Sequence, residues 1–393
     1  LIIVAMKASH APMTALGVTL IGFAALASAM GVGRFAFTPL LPLMQAHAGM
    51  SLRQGAWLAG SNYIGYLAGA MLCSVRVPAT RLAVRYGLVA VALLTAGMGA
   101  TGSYGAWLAL RFGAGVASAY VLVGVSAWAL PALAEHRRSV WSGWLFAGVG
   151  VGISLAGLLV LLEAAHGATP GVAWLSLGVA SAAVAAVAWA PLRSAGAVAA
   201  SRTPQAGRLG ADDWRLVLCY GTFGFGYIIP ATFLPAMARD VIPDPAVFGW
   251  VWPVFGATAA LSTVAVALGA SRMNARRVWA LGQLVMAAGV LVPVLWPGIA
   301  ALLVAAVCVG GTFVAMTMAG LQEARRIAGA NAPRLMAAMT AAFALGQLAG
   351  PIVVALAATD GTRHVAGPSL LAVALLLLGA WALWRSGPAR ESL

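Results

Sequence analysis

Two arginines, Arg34 and Arg111, lie inside long apolar stretches of this 393-residue chain. A guanidinium in a hydrocarbon setting costs roughly 2.5–3.5 kcal/mol on insertion scales, so each needs a polar partner, a wet cavity or an escape to the interface. For Arg34, a cavity is favoured over an outward-reaching side chain, because intramembrane ionisable groups usually face a bundle interior. Arg111 shares a helical face with Ala114, Gly115 and Ser118, small residues suited to helix contact, so Arg111 is expected to face protein, either for binding or for packing.

The charge of these side chains predicts the class of ligand. Arginine binds carboxylate or phosphate through two parallel hydrogen bonds, whereas a cationic ligand would need a buried carboxylate. The middle of each apolar stretch lacks Asp and Glu, so a small organic anion is favoured. Glu163, just beyond the fifth stretch, is the nearest candidate for proton coupling; an ordinary interfacial acid near His166 is the simpler interpretation. A proton could also enter on the substrate itself.

Aromatic and amide side chains could complete a site around the arginines. Tyr220, Phe223 and Tyr227 recur at i, i+3 and i+7, which places them on one helical face. Such a stripe is more often packing than binding, and Tyr227 is the member that we predict to bind. Asn62 and Gln347 are uncharged polar residues within apolar stretches. We predict them as further binding residues, with hydrogen bonding between helices as the alternative.

Enzymatic chemistry finds little support in the sequence. The segment 97–102 matches a dinucleotide-binding fingerprint by letter, but it closes an apolar run instead of opening the helix of a βαβ unit. The five histidines lie scattered near the termini and between the stretches, without the spacing of a metal site. Cys73, Cys219 and Cys308 stand alone and resemble small core residues. No cofactor, metal or catalytic set is predicted.

The elements that would position these residues are transmembrane helices. The chain is 62% hydrophobic and 8% charged, whereas soluble domains are roughly a quarter charged. Runs of about 20 apolar residues cross a bilayer as helices and are too long for barrel strands. Twelve such stretches occur: 14–41, 52–74, 84–102, 106–130, 139–162, 171–191, 215–238, 246–269, 277–296, 299–320, 334–358 and 366–385. We therefore predict an all-α membrane protein with twelve transmembrane helices.

The basic residues indicate the orientation. The net charge is +14, yet the arginines concentrate in alternate loops, and the opposite loops hold only Arg53, Arg239 and Arg363. Cytoplasmic loops carry the excess of Lys and Arg, so both termini are predicted to be cytoplasmic. The positive charge therefore reflects topology and attraction to anionic lipid, and no nucleic-acid partner is predicted.

An internal repeat divides the chain into two halves. At a shift of 193 residues, Gly31, Gly33, Pro42 and Met44 match Gly224, Gly226, Pro235 and Met237. This match argues that the first stretch is a retained helix, against the alternative of a cleaved signal peptide. Residues 192–213 are polar and rich in small side chains, as in a flexible cytoplasmic linker. The predicted units are a six-helix half at 1–191 and a second at 214–393, related as parallel repeats.

Several segments resemble a known family. Two six-helix halves joined by a cytoplasmic linker resemble the major facilitator superfamily, and Gly31-Val-Gly-Arg-Phe-Ala-Phe-Thr-Pro-Leu-Leu-Pro42 is similar to the first-helix signature of its YbfB-like bacterial branch. Arg111 to Gly115 resembles the core of the fourth-helix motif, associated in relatives with proton coupling. Residues 346–351 resemble the Gly-Pro bend motif of the eleventh helix. The loop 76–87 lacks the aspartate of the family pattern, which puts the usual gating salt bridge in doubt.

The resemblance implies secondary transport by alternating access at a site between the halves. Combined with the arginine chemistry, it predicts a bacterial inner-membrane transporter for a small organic anion, with a proton as a candidate coupling ion. The candidate binding residues are Arg34, Arg111, Tyr227, Asn62 and Gln347. The alternative is an exporter of amphipathic or cationic compounds that would use the aromatic residues.

Overall fold

The computed structural model describes residues 13–75, 80–138, 140–193, 209–242, 244–269, 274–357 and 365–385. These residues are helical almost throughout, and the described part of the chain contains no strand. The α-helices of these ranges are α1 (Ala15–Leu26), α2 (Phe37–Ala48), α3 (Leu52–Val75), α4 (Thr80–Gly99), α5 (Tyr104–Glu135), α6 (Trp141–Ala165), α7 (Pro170–Trp189), α8 (Ala211–Val241), α9 (Pro245–Phe248), α10 (Val251–Gly269), α11 (Ala275–Leu295), α12 (Ile299–Ala328), α13 (Ala332–Ala357) and α14 (Ala366–Arg385).

Within the described residues, these helices give twelve membrane spans, as the sequence predicts. The first span is composite, because α1 continues through a π-helical segment at Ala27–Val32 and a turn into α2. The short α9 precedes the eighth span and was not expected. Eleven spans of the described chain are long and apolar enough to cross a bilayer. The remaining one, α3, has 24 residues and is not among these eleven.

The region between the halves is shorter than expected at its carboxy-terminal end. α7 ends at Trp189, and α8 already begins at Ala211, within the predicted linker 192–213. An early helix start is favoured here because the Asp213 carboxylate accepts a hydrogen bond from the Gly210 amide at 2.8 Å. Residues 194–208 of the predicted linker lie outside the described residues.

The first and fifth spans of each half approach so closely that their backbones touch. A Cβ placed on Gly31 would lie 2.5 Å from the Gly152 Cα in α6. A Cβ on Gly224, the repeat counterpart of Gly31, would lie 3.0 Å from the Phe343 Cα in α13. Both halves therefore use glycine at the same position for the same helix packing.

The halves meet along pairs of helices that include α6 with α10, α3 with α13, and α2 with α8. In the first pair, a Cβ on Gly256 would lie 2.6 Å from the Ser154 hydroxyl, and that hydroxyl donates to the Pro253 carbonyl at 2.7 Å. The outer surface carries large apolar side chains, such as Leu93, Val187 and Leu356, which are 68%, 70% and 74% exposed. A surface of this kind suits lipid and agrees with a multi-pass membrane protein.

We name the two ends of the bundle by their charge. The basic face is the end that holds the start of α4, the end of α5, the starts of α6, α8 and α11, and the end of α12. The sparse face is the opposite end, where α2 and α8 terminate. The sequence-predicted site residues lie between these two faces.

Candidate functional site

The site is built around the break in the first span. After the π-helical segment, residues 33–36 form a turn before α2 begins at Phe37. Pro39 favours such a break because it lacks the amide hydrogen that would donate to the Phe35 carbonyl. The Phe35 carbonyl accepts from the Thr38 amide instead, at 3.2 Å. Other buried carbonyls of the broken segment must also find donors.

Arg111 and Asn62 supply donors to this broken segment. The two terminal nitrogens of Arg111 donate to the carbonyls of Gly33 and Arg34, at 3.1 and 2.9 Å. The Asn62 amide donates to the Gly33 carbonyl at 3.3 Å and to the Arg111 carbonyl at 2.9 Å. Arg111 is 2% exposed and Asn62 is fully buried. The expectation that Arg111 faces protein is confirmed, and its terminal nitrogens serve the backbone of the first span.

Arg34 extends from the broken segment towards the other half. Its Nη2 donates to the Gln347 Oε1 of α13 at 2.5 Å. Its guanidinium carbon lies 4.1 Å from the centre of the Tyr66 ring and 5.5 Å from that of Tyr63, within range of cation–π attraction. Arg34 is 4% exposed, so the interior position predicted from the sequence is confirmed.

Gln347 connects Arg34 to Tyr227. The Gln347 amide donates to the Tyr227 hydroxyl. Tyr227 is the repeat counterpart of Arg34, and the structure brings these two positions to either side of one glutamine. Phe313 and Phe343 both lie nearly parallel to the Tyr227 ring, with centroid distances of 5.5 Å and interplanar angles of 5° and 6°. Tyr227 therefore presents its hydroxyl to the site.

The predicted aromatic face also exists. Tyr220 and Phe223 lie 5.6 Å apart, and Phe223 and Tyr227 lie 5.7 Å apart, measured between ring centroids. Phe343 contacts all three rings. Tyr220 and Phe223 thus pack within the second half, whereas Tyr227 reaches the polar cluster at the interface.

The charge of Arg34 has neutral partners. Among the described residues, no carboxylate forms an ion pair with Arg34. The Arg34 Nε is buried and donates to no acceptor within the same residues. The site therefore combines a buried cation with an amide and a phenol, which is an arrangement suited to binding an anion.

Hydrogen bonds continue from this cluster towards the sparse face and join the two halves. The Thr38 hydroxyl donates to the Ala231 carbonyl at 2.9 Å, and these residues are 193 positions apart, the length of the repeat. The hydroxyls of Tyr63 and Thr232 lie 2.9 Å apart. Arg239 donates to the Pro42 carbonyl at 2.9 Å. The halves are thus closed against each other between the site and the sparse face.

Sequence reasoning missed an ion-pair network at the basic face of the second half. Glu323 in α12 is fully buried and receives two hydrogen bonds from Arg326, at 2.8 and 2.9 Å. Arg276 in α11 lies 2.9 Å from Glu323 and 2.7 Å from Asp212 in α8. The spacing of Glu323 and Arg326 at i and i+3 was the available signal; the other members come from separate helices.

The first half is arranged differently at the same face. Arg85 is 9% exposed, and its guanidinium carbon lies 3.7 Å from the centre of the Trp189 ring. Arg81 lies 5.5 Å from the Trp128 ring. The absence of an aspartate in this loop had put a salt bridge in doubt, and an aromatic ring stands beside each arginine.

Glu163 lies apart from the central cluster. It is in the last turn of α6, and one of its carboxylate oxygens is buried without a hydrogen-bond partner among the described residues. The His166 ring hydrogen-bonds to the Leu162 carbonyl at 2.7 Å. The structure therefore does not join Glu163 to Arg34, and the coupling role remains a prediction.

Comparisons with known proteins place the chain in context. A family model described as an uncharacterised MFS-type transporter, YbfB, matches residues 26–383. The fold is similar to a crystal structure of the nucleoside transporter NupG, with a TM-score of 0.69, 14% identity, and coverage of 94% of this chain and 98% of that one. It is equally similar to a bacterial homolog of the human lysosomal transporter Spinster in an inward-facing, occupied conformation, with a TM-score of 0.69, 14% identity, and coverage of 94% and 95%. No curated protein matches significantly.

Proposed function

We propose a substrate class and a mechanism on one premise: the chain belongs to the YbfB-like family of major facilitator superfamily transporters. It is therefore a multi-pass membrane transporter and not an enzyme. The protein is a secondary active transporter that moves a small organic anion across the bacterial inner membrane by alternating access. The solved relatives support the fold alone, so the substrate class rests on the residues of the central site.

The buried guanidinium of Arg34 is the observation that carries this proposal. A charge in this position is costly unless it is paired. Its described hydrogen-bond partner is the neutral amide of Gln347, so a carboxylate would supply the missing countercharge. Charge-assisted hydrogen bonds are roughly twice as strong as neutral ones. An anion is therefore favoured over a sugar or a neutral nucleoside.

The position of Arg34 also links binding to movement. Arg34 belongs to the first half, whereas Gln347 and Tyr227 belong to the second. A ligand held between them contacts both halves at once, which is what a rocking mechanism requires. The hydrogen bonds of Thr38, Tyr63 and Arg239 must break when the sparse face opens.

The orientation follows from charge. The loops of the basic face carry most of the lysine and arginine residues, so this face is proposed to be cytoplasmic, with both termini on that side. The closed sparse face is then the periplasmic one. Lipid headgroups of the inner leaflet would contact the basic face.

Thermal unfolding of the purified protein with added ligands tests the anion site. The panel is benzoate, propionate, glucose and tetraphenylphosphonium, measured on wild type and on Arg34→Gln. A ligand at 100 times its dissociation constant stabilises by about 2.7 kcal/mol. We expect carboxylates to stabilise wild type and to have no effect on Arg34→Gln. Arg277→Gln removes an equal charge from an exposed position of α11 and should respond like wild type.

The opposite result would favour the alternative of an exporter for amphipathic or cationic compounds. Stabilisation by tetraphenylphosphonium alone, or an unchanged response to carboxylates in Arg34→Gln, would contradict the anion proposal. The geometry weighs against the exporter because Arg34 repels a cation. The aromatic rings that an exporter would use are packed against one another.

A further inference from the structure

We propose that the Gln347 amide oxygen occupies the place of a substrate carboxylate oxygen when the site is empty, and that binding displaces it. Gln347 thereby makes Arg34 selective for carboxylates over neutral compounds. This inference rests on the proposed anion-transport function and adds a specificity-determining role for Gln347.

The direction of the Gln347 amide follows from its neighbours. Arginine has donors only, so Gln347 must turn its oxygen towards Arg34. Its NH2 group then faces Tyr227, whose hydroxyl can accept. The carbonyl oxygen of Gln347 thus stands 2.5 Å from the Arg34 Nη2, where the oxygen of a bound carboxylate would stand.

The surroundings restrict how a ligand can reach the guanidinium. The Tyr66 ring lies 4.1 Å from the Arg34 guanidinium carbon. Phe313 and Phe343 both stack on the Tyr227 ring. Flat ligands therefore have little room to stack on Tyr227, and recognition depends on hydrogen bonds at the edge of Arg34. Displacing Gln347 makes the Nη2 donor available beside Nε, so that a carboxylate can accept from both nitrogens.

Displacement separates ligands by charge. A neutral amide or alcohol would exchange one neutral acceptor for another and gain almost nothing. A carboxylate would replace a neutral acceptor with a charged one, and charge-assisted hydrogen bonds are roughly twice as strong. Gln347 thus lowers the affinity of neutral ligands more than that of carboxylates, and this difference in affinity is the specificity.

Two substitutions at Gln347 should act in opposite directions. Gln347→Leu removes the competing oxygen and leaves Arg34 free, so benzoate should bind about tenfold more tightly, which corresponds to about 1.4 kcal/mol. Benzamide, which should not bind wild type detectably, should now bind. Gln347→Glu places a carboxylate beside Arg34 permanently, so benzoate should lose its binding. Damage to packing alone would weaken benzoate binding in both variants.

The measurement is ligand-dependent thermal unfolding of the detergent-purified full chain, with benzoate and benzamide as matched probes. Without ligand, Gln347→Glu should unfold at a higher temperature than Gln347→Leu because it neutralises the buried cation. The inference is overturned if benzoate binds Gln347→Leu no more tightly than wild type, or binds Gln347→Glu as it binds wild type.

The same experiment separates this inference from the proposed function. If benzoate stabilises wild type but not Arg34→Gln, and Gln347→Leu is no tighter, the anion site stands and displacement is wrong. If benzoate stabilises Arg34→Gln as well as wild type, the anion site itself is wrong.

Discussion

At the basic face, the second half ties three helices together with ion pairs, whereas the first half stacks arginines on tryptophans. Glu323 is fully buried between two arginines, and Arg276 bridges it to Asp212. Arg85 is nearly as buried, yet no acid pairs with it among the described residues, and Trp189 covers its guanidinium. A buried arginine can thus be accommodated by a countercharge or by an aromatic face. Removing one partner should cost much more folding stability in the ion-paired network than in the stacked pair.

The largest effect is expected for Glu323→Gln. The substitution removes an acid that forms ion pairs with both Arg276 and Arg326, and breaking a buried pair in this way costs about 3 kcal/mol. Thermal or denaturant unfolding in detergent measures the loss. Glu135→Gln, at the exposed end of α5, is the control and should change stability by less than about 0.5 kcal/mol. Equal small effects would show that the network contributes little to folding.

A matched pair of arginine substitutions tests the comparison directly. Arg276→Met leaves the buried Glu323 with one arginine fewer and should destabilise by about 2 kcal/mol. Arg85→Met exchanges a buried cation without an acid for an apolar side chain of similar length. Relief from the cost of burying charge should offset the lost stacking, so a change below about 1 kcal/mol is expected. Losses of the same size at both positions would mean that the halves do not differ as proposed.

The stacking contribution itself can be isolated by a double-mutant cycle. Trp189→Leu should cost about 1 kcal/mol beyond its area burial when Arg85 is present, because the guanidinium loses the ring face. In the Arg85→Met background that extra cost should vanish. The coupling energy from the four unfolding curves is the measured quantity. Additive effects would indicate that Trp189 acts by packing alone.

Glu163, an acid near the sparse face, can be compared with the paired Glu323 at the basic face. Its substitution is expected to cause the smallest change in stability. Glu163→Gln should shift the free energy of unfolding by less than about 0.5 kcal/mol, since no described partner is lost. If Glu163 couples transport to protons, accumulation of substrate in vesicles under an imposed pH gradient should disappear, while benzoate still stabilises the variant. Unchanged gradient-driven accumulation would assign Glu163 the simpler interfacial role.

Local patterns predicted much of this molecule because they depend on neighbours along the chain. Apolar runs predicted the spans, and spacing at i, i+3 and i+7 placed Tyr220, Phe223 and Tyr227 on one face. The interior positions of Arg34 and Arg111 followed from the cost of exposing a charge to lipid. The 193-residue repeat identified Tyr227 as the counterpart of Arg34.

Such local patterns could not predict contacts between helices that are distant in the sequence. Arg34 and Gln347 are 313 residues apart, and their bond depends on how α13 packs against α3 and α8. Arg111 became a donor to the first span because that span breaks at residues 33–36, and neither Pro39 nor the glycines specify where the freed carbonyls point. Asp212, Arg276 and Glu323 meet from three helices, so no single segment shows their network.

The glycine contacts between the first and fifth spans have a consequence for mutational tolerance. Every amino acid other than glycine carries a Cβ, and at Gly31 that atom would collide with the Gly152 backbone. A saturation library should therefore lose every replacement at Gly31, including alanine. Gly60 should accept alanine freely, because an added Cβ there would meet nothing within 4 Å. Because Gly224 repeats the contact in the second half, the same pattern of intolerance should appear twice along the gene, one repeat length apart.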